Sequence, residues 1–306
     1  MRRAFRCADG QISFAFQGGE PTLIGPCPFF EALMRFERST HRGLAVSNAV
    51  QTNGYDMPEE LLSFFVREGF LIGVSLDGDR AAHDLLRLDR DGAPTYDRVR
   101  ANMERFKRAG AEFNILCVVN EYVARRPREV FQALAPCHNL QFIACLDDFD
   151  GEKTDYSLTE ESYLRFLKIT FDLYYEAFCA GRPVSIRNFD NYLGILLGIP
   201  PESCAMSGQC GQYFLIEADG SVYPCDFTSS MPGGWATYAI LPSAASPVRP
   251  QPSASLPDRF RAAAMQGLRM VCSLPQRLQA GTRRPKRDKP LVRLLPRIFL
   301  LCRPAF

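Results

Sequence analysis

Across about the first 200 residues, short β-prone runs alternate with longer segments of helical period, and this restricts the possible folds more than any other feature. Ile12 to Phe16, Leu44 to Val50, Leu71 to Ser75, Phe113 to Val119 and Leu140 to Leu146 read as strands. Each is apolar enough to suggest a parallel strand covered on both faces. Phe29 to Ser39, Pro58 to Glu68, Tyr96 to Ala109 and Arg128 to Ala135 carry apolar residues three and four apart, and Gly69 and Gly110 stand where helices should stop. The clearest helix spans Thr159 to Ala180, behind a Ser157-x-x-Glu160 capping box, with an aromatic stripe that belongs to the core. Strand–helix units in succession, joined by right-handed crossovers, predict a parallel α/β sheet. No dinucleotide or Walker phosphate loop follows any strand, so a closed or partial TIM-like (β/α) barrel is expected, with its chemistry at the strand C-terminal ends.

Those ends are rich in small polar groups. The first strand runs into Phe16-Gln17-Gly18-Gly19-Glu20-Pro21-Thr22, where two glycines let a ligand approach bare main chain while Gln17 and Glu20 offer side chains. The second ends in Gln51-Thr52-Asn53-Gly54 and the third in Ser75-Leu76-Asp77-Gly78. Arg87, 12 residues past Ser75, can bring a cation toward a ligand carboxylate. Beyond a short strand at Val184 to Arg187 and a helix at Asp190 to Leu197, Tyr213 to Glu217 and Ser221 to Tyr223 read as a hairpin.

Eleven cysteines fall into sets. Cys117, Cys145 and Cys179 lie in apolar runs and read as inert core thiols. Cys204, Cys210 and Cys225 cluster around the hairpin, where three thiolates suit zinc or an iron–sulfur centre, and Asp226 beside them is placed to act as a base. His41, His83 and His138 share no ligand spacing and read as incidental.

The formal net charge of +2 conceals a break. From Met231 onward there are 13 basic residues against Asp258 and Asp288, leaving 23 basic against 32 acidic before it, and half of the 22 prolines lie in that tail. No apolar run approaches the 18 or so residues of a membrane span and the N-terminus lacks an export signal, so a cytoplasmic protein is expected, with no membrane partner.

Taken together, Phe14-Ala-Phe-Gln-Gly-Gly-Glu-Pro-Thr-Leu23, Gln51-Thr-Asn-Gly54, Ser75-Leu-Asp-Gly78, Phe113-Asn-Ile-Leu-Cys-Val-Val119 and Val222-Tyr-Pro-Cys-Asp-Phe227 resemble the anaerobic sulfatase-maturating enzymes, radical S-adenosylmethionine proteins with a SPASM-type cluster domain. The resemblance implies a partial (β/α)6 barrel over residues 1–198, the start of a SPASM-like domain over 199–230, and a divergent basic, Pro-rich tail over 231–306. It further implies that Gln17, Gly19, Ser75, Arg87 and Leu146 hold S-adenosylmethionine and that Cys204, Cys210 and Cys225 ligate an auxiliary [4Fe-4S] cluster. Asp226 takes the position of the catalytic base that deprotonates the substrate side chain.

The implied reaction oxidises a Cys or Ser of an unfolded sulfatase peptide to Cα-formylglycine, with flavodoxin or ferredoxin as electron donor and no nucleic acid. Cofactor chemistry supplies the reactivity and the protein supplies orientation. Other SPASM peptide-modifying enzymes, or a non-catalytic metal- or nucleic-acid-binding fragment, are the alternative readings. In the family, Cys-x3-Cys-x2-Cys upstream of the Gly-Gly-Glu-Pro loop binds the radical-generating cluster. Here only Cys7 stands among the 16 residues before Gln17, so a barrel lacking its first strand, and inactive by itself, is expected. After Phe227 the family's closely spaced cysteine pairs give way to Cys272 and Cys302, and the sudden Arg/Pro/Ser/Ala bias with almost no acids is what an out-of-frame reading produces, a genuine basic tail being the rival reading.

Overall fold

A computed structural model describes residues 1–8, 10–24, 28–41, 43–147, 152–202, 204–207, 214–217 and 222–223. They form two units, one of Met1–Leu146 with Thr154–Asn188, the other of Asp147–Lys153 with the chain from Phe189 onward. The first unit is built on six parallel strands: β1 (Gln11–Phe16), β2 (Ala45–Thr52), β3 (Leu71–Ser75), β4 (Phe113–Val119), β5 (Asn139–Ala144) and β6 (Ser185–Ile186). Their order in the sheet is the order in the chain, with β1 and β6 at the edges. Sequential order is what a partial (β/α) barrel requires; doubly wound sheets reverse direction at a switch point instead.

Helix α1 (Arg2–Cys7), which periodicity does not reveal, precedes β1 and buries Phe5 edge-on against Phe14. Helices α2 (Pro28–Thr40), α3 (Glu59–Arg67), α4 (Arg80–His83), α5 (Tyr96–Ala109), α6 (Glu121–Ala124), α7 (Pro127–Leu134) and α8 (Glu160–Cys179) fill the crossovers. Gly110 caps α5 in the left-handed region at φ 72°, as its position predicts. The cap of α8 differs from expectation. Thr159 accepts from the Ser162 N–H at 3.2 Å, while the Ser157 hydroxyl accepts from the Thr154 N–H. Two hydroxyl residues compete for the role, and the one adjacent to the first helical turn wins.

The outer face of the sheet is the core. Ile72, Val74, Ile115, Cys117, Val119, Leu140, Phe142 and Ile186 are buried on it. Phe30 of α2 meets Phe16 at 5.4 Å between ring centroids, Phe106 of α5 meets Phe113 at 6.0 Å, and Phe166 of α8 meets Phe142 at 5.0 Å.

The inner face corrects the expectation of strands apolar on both sides. Register places Ser13, Ala15, Ser47, Ala49, Gln51, Gly73, Ser75, Asn114, Leu116 and Gln141 on one side, and Ser13, Ala15 and Ser47 are exposed. Ser13 and Ser47 share a 2.6 Å hydrogen bond between adjacent strands. Leu71, Leu116, Val118 and Ile143 share that side with the small and polar residues, and among the described residues its β1–β2 end is left exposed. Strands of this mixed kind resemble buried ones in composition, which is why the sequence misleads.

In the second unit, β7 (Leu215–Ile216) pairs antiparallel with β8 (Val222–Tyr223), at the predicted hairpin. Helix α9 (Arg187–Leu196) begins in the first unit and continues into the second, and α10 is the four-residue Cys204–Ser207. No helix among the described residues is long and apolar enough to cross a membrane.

Candidate functional site

Parallel strands deliver their C-terminal ends to one rim, and the loops leaving β1, β2 and β3 carry the predicted residues there. After β1, Gly18 and Gly19 adopt φ of 86° and 53°, and a Cβ built at either position meets nothing within 4 Å. The main chain of Gln17, Gly18 and Gly19 is exposed beside open space, a cradle in which a ligand can reach amide and carbonyl groups. Glu20 is engaged differently from expectation. One carboxylate oxygen accepts from the Thr22 hydroxyl at 2.8 Å and the other from the Asn53 N–H at 2.7 Å, so it ties the glycine loop to the end of β2.

Ser75 lies at the end of β3, where its hydroxyl accepts from the Gln51 amide at 3.1 Å. A Cβ on Gly73 would come within 2.1 Å of Gln51 Oε1, so glycine at 73 is what makes room for the amide. Two residues on, Asp77 is 8% exposed. Its Oδ1 accepts from the Val118 N–H at 2.8 Å, and its Oδ2 accepts from Arg87 Nε at 2.5 Å. A guanidinium is thereby anchored beside the ends of β3 and β4, with part of its donor fork still available. Leu146 stands just past β5 at the same rim, 42% exposed, an apolar surface two strands along from Ser75.

His83, which spacing alone marks as incidental, is 1% exposed and lies within this network. Its Nδ1 accepts from the Asp77 N–H at 3.3 Å and its Nε2 meets the Thr95 hydroxyl at 3.0 Å. Burial, aided by Arg87 and opposed by Asp77 and Asp84, pushes its pKa down to about 4. Between pH 6.5 and 4 the unfolded chain holds a proton at this site that the folded chain refuses, so stability falls as pH drops through that window. The expected loss is about 3 kcal/mol. Urea denaturation at pH 7, 5.5 and 4 is expected to show it, with a shallower decline for His83→Asn. Equal slopes in the two proteins would contradict this account of the imidazole.

Among the cysteines, Cys117 is fully buried, and desolvation raises its thiol pKa well above the ordinary value, as an inert core thiol requires. Cys137 is buried too, although no local signal singles it out. Cys145 is half-buried and Cys179 exposed, which corrects the placing of Cys179 in the core: it ends α8 on the face turned from the aromatic stripe. Cys204 opens α10. Cys210, Cys225, Asp226 and the basic tail over 231–306 lie outside the described residues. Among the described residues no group of three or more His, Cys, Asp or Glu side chains is placed to hold a metal ion.

No protein-family model matches the chain. It is 44% identical over 232 residues to the cysteine-type anaerobic sulfatase-maturating enzyme of Clostridium perfringens strain 13, covering 74% of this chain and 62% of that protein. To the serine-type anaerobic sulfatase-maturating enzyme of Bacteroides thetaiotaomicron it is 30% identical, covering 71% of this chain and 56% of that one. A solved structure described as native anSMEcpe with bound AdoMet and Kp18Cys peptide superposes with a TM-score of 0.70 at 45% identity, over 74% of this chain and 64% of that one. The chain thus spans about three fifths of the length of the relatives it matches.

Proposed function

We propose, on the premise that this chain is a homologue of the anaerobic sulfatase-maturating enzymes, that it forms the S-adenosylmethionine-holding barrel of a radical enzyme that oxidises a Cys or Ser of a sulfatase peptide to Cα-formylglycine. One observation carries the reading. Exposed glycine main chain lies past the C-terminal end of β1, and the Ser75 hydroxyl and the Asp77-anchored Arg87 lie at that of β3, on one rim.

A methionyl zwitterion needs carbonyl acceptors for its ammonium and a cation for its carboxylate. The Gln17–Gly19 segment supplies the first and Arg87 the second. Ser75 hydrogen-bonds the polar part of the ligand, and Leu146 covers an apolar part. Open space beside both glycines fits such a ligand, because any Cβ there would project into it. When bound, S-adenosylmethionine supplies the hydrogen-abstracting chemistry. This chain's residues hold the molecule and orient it at the C-terminal ends of the strands, beside the inner face of the sheet, against which an extended peptide would lie.

Cys204, Cys210 and Cys225 belong, in this reading, to an auxiliary iron–sulfur centre, with Asp226 as the base at the substrate side chain. The support for these four is their order in the sequence relative to the family motifs. Residues 1–198 then make the barrel and residues 199–230 begin the cluster domain, ahead of the basic segment 231–306. A flavodoxin- or ferredoxin-type donor and a cytoplasmic setting complete the proposal, and the buried free thiols of Cys117 and Cys137 suit a reducing compartment.

Calorimetric titration of the full chain with S-adenosylmethionine is expected to give one binding event, weakened at least about tenfold by Gly19→Val, since a β-branched residue is strained at positive φ and fills the opening. Undiminished binding by that variant would place the ligand elsewhere.

A further inference from the structure

We propose that His83 is the positioning residue of Arg87, fixing its main chain so that the guanidinium meets the carboxylate of a bound S-adenosyl amino acid. The inference rests on the reading above that Arg87 takes this carboxylate.

Four hydrogen bonds link His83 with Asp77, Thr95 and Arg87, three of them at His83 itself, and their directions are determined. The Asp77 N–H donates to Nδ1, so Nδ1 is an acceptor and Nε2 carries the proton. Nε2–H donates to the Thr95 hydroxyl, and that hydroxyl donates in turn to the Arg87 carbonyl at 2.6 Å. The Arg87 N–H donates back to the His83 carbonyl at 3.0 Å. Arg87 is therefore held at both main-chain polar groups, directly by His83 on one side and through Thr95 on the other. The same imidazole holds the main chain of Asp77, the carboxylate that grips the guanidinium.

Thr95 is itself pinned, because Asp84 Oδ1 accepts from the N–H groups of Thr95 and Tyr96 at 3.0 and 2.8 Å. An apolar residue would fill the volume, but only a neutral imidazole presents an acceptor and a donor at opposite ends of a rigid ring. Such rigidity matters here. The segment from Leu86 to Pro94 runs along the surface with Leu86 and Leu88 exposed, joined across itself by an isolated Leu88–Pro94 bridge. Without the strut, Arg87 would sit at the start of a loop free to shift, and the ordering it now possesses would have to be supplied on binding.

The test uses the full chain and two probes. S-adenosylhomocysteine carries the amino-acid carboxylate; 5′-methylthioadenosine keeps the nucleoside and thioether but lacks it. By calorimetry, His83→Phe is expected to bind S-adenosylhomocysteine about tenfold more weakly, with methylthioadenosine within about twofold of wild type. Thr95→Val, nearly isosteric, is expected to show the same selective loss at about threefold. His83→Asn, which retains an acceptor in the Nδ1 position, should recover part of the loss.

Nitrogen NMR of the labelled protein is expected to find the His83 proton on Nε2; a proton on Nδ1 would overturn the assignment. If Arg87→Ala loses the preference for the carboxylate probe while His83→Phe and Thr95→Val keep it, the role of Arg87 stands and that of His83 falls. If Arg87→Ala keeps the preference, the reading of Arg87 fails and the proposal fails with it. Should His83→Phe not fold, Thr95→Val decides the matter by itself.

Discussion

Asp77→Ala is expected to destabilise the protein by about 3 to 4 kcal/mol and to abolish the preference for a carboxylate-bearing ligand. The carboxylate is buried and holds two partners that water does not replace well. The Val118 N–H loses its acceptor, and the Arg87 guanidinium, whose side chain is 28% exposed, is left half-buried without a counter-charge. Removing one member of a buried ion pair costs more than the pair contributes, because the remaining charge stays desolvated. The double variant Asp77→Ala/Arg87→Met is therefore expected to recover part of the stability while remaining unable to bind the carboxylate. Urea denaturation at pH 7 measures both. A cost below about 1 kcal/mol for Asp77→Ala would mean that the pair is solvated in solution and is not the anchor described above.

Phe30→Ala is expected to cost about 4 kcal/mol, the middle of the range for a core aromatic. Phe30 is 1% exposed at the centre of an aromatic cluster, with ring centroids 5.2 Å from Phe65, 5.4 Å from Phe16, 5.9 Å from Phe70 and 6.3 Å from Phe64. These rings join α2 and α3 to the end of β1, where the glycine loop begins. Neighbours fixed on β1, on α3 and in the connection before β3 collapse poorly into a cavity, so the transfer and packing losses add. Phe30→Leu, which leaves a smaller void, should cost about 1 to 2 kcal/mol. Because the glycine cradle rests on this cluster, affinity for S-adenosylmethionine is expected to fall in the alanine variant before global unfolding is reached. Binding that persists unchanged up to the unfolding transition would show that cradle and cluster are independent.

Much of the fold was legible because it is written in local signals. Glycine after a helical run marks a stop, and Gly110 provides one with a left-handed backbone. The five longer strands and the principal helices follow from hydrophobic spacing within windows shorter than a single crossover. The readings that failed share a different character. Cys179 falls in an apolar-looking helix yet is exposed, because it lies on the face turned from the aromatic stripe, while Ala177 in the same turn is buried. Ser157 and Thr159 carry the same hydroxyl chemistry, and only the path of the chain into α8 selects between them. The partly polar inner face was not legible because Ala15, Ala49, Leu116, Val118 and Ile143 on it give the strands an apolar composition.

The candidate site divides along the same line. Gly18 and Gly19, Ser75 and Arg87 were recognisable as small or charged groups just past strand ends. Glu20 looked like a ligand-facing group and proved to be a tie between two loops, since its partner Asn53 lies 33 residues away. His83 carried no spacing signal, yet it links Asp77, Thr95 and Arg87.

By itself the sequence determined the succession of strands and helices, the bare main chain after β1 and the end of the sheet at which polar groups gather. Periodicity and turn chemistry are properties of neighbours along the chain, so a linear reading reaches them. Only the tertiary structure decided that Asp77 grips Arg87 while accepting from Val118, 41 residues on, and that a buried neutral imidazole braces both. Such partnerships depend on sheet register and on directional hydrogen bonds closing over a few ångströms, and the register that brings those atoms together exists only once the strands have paired.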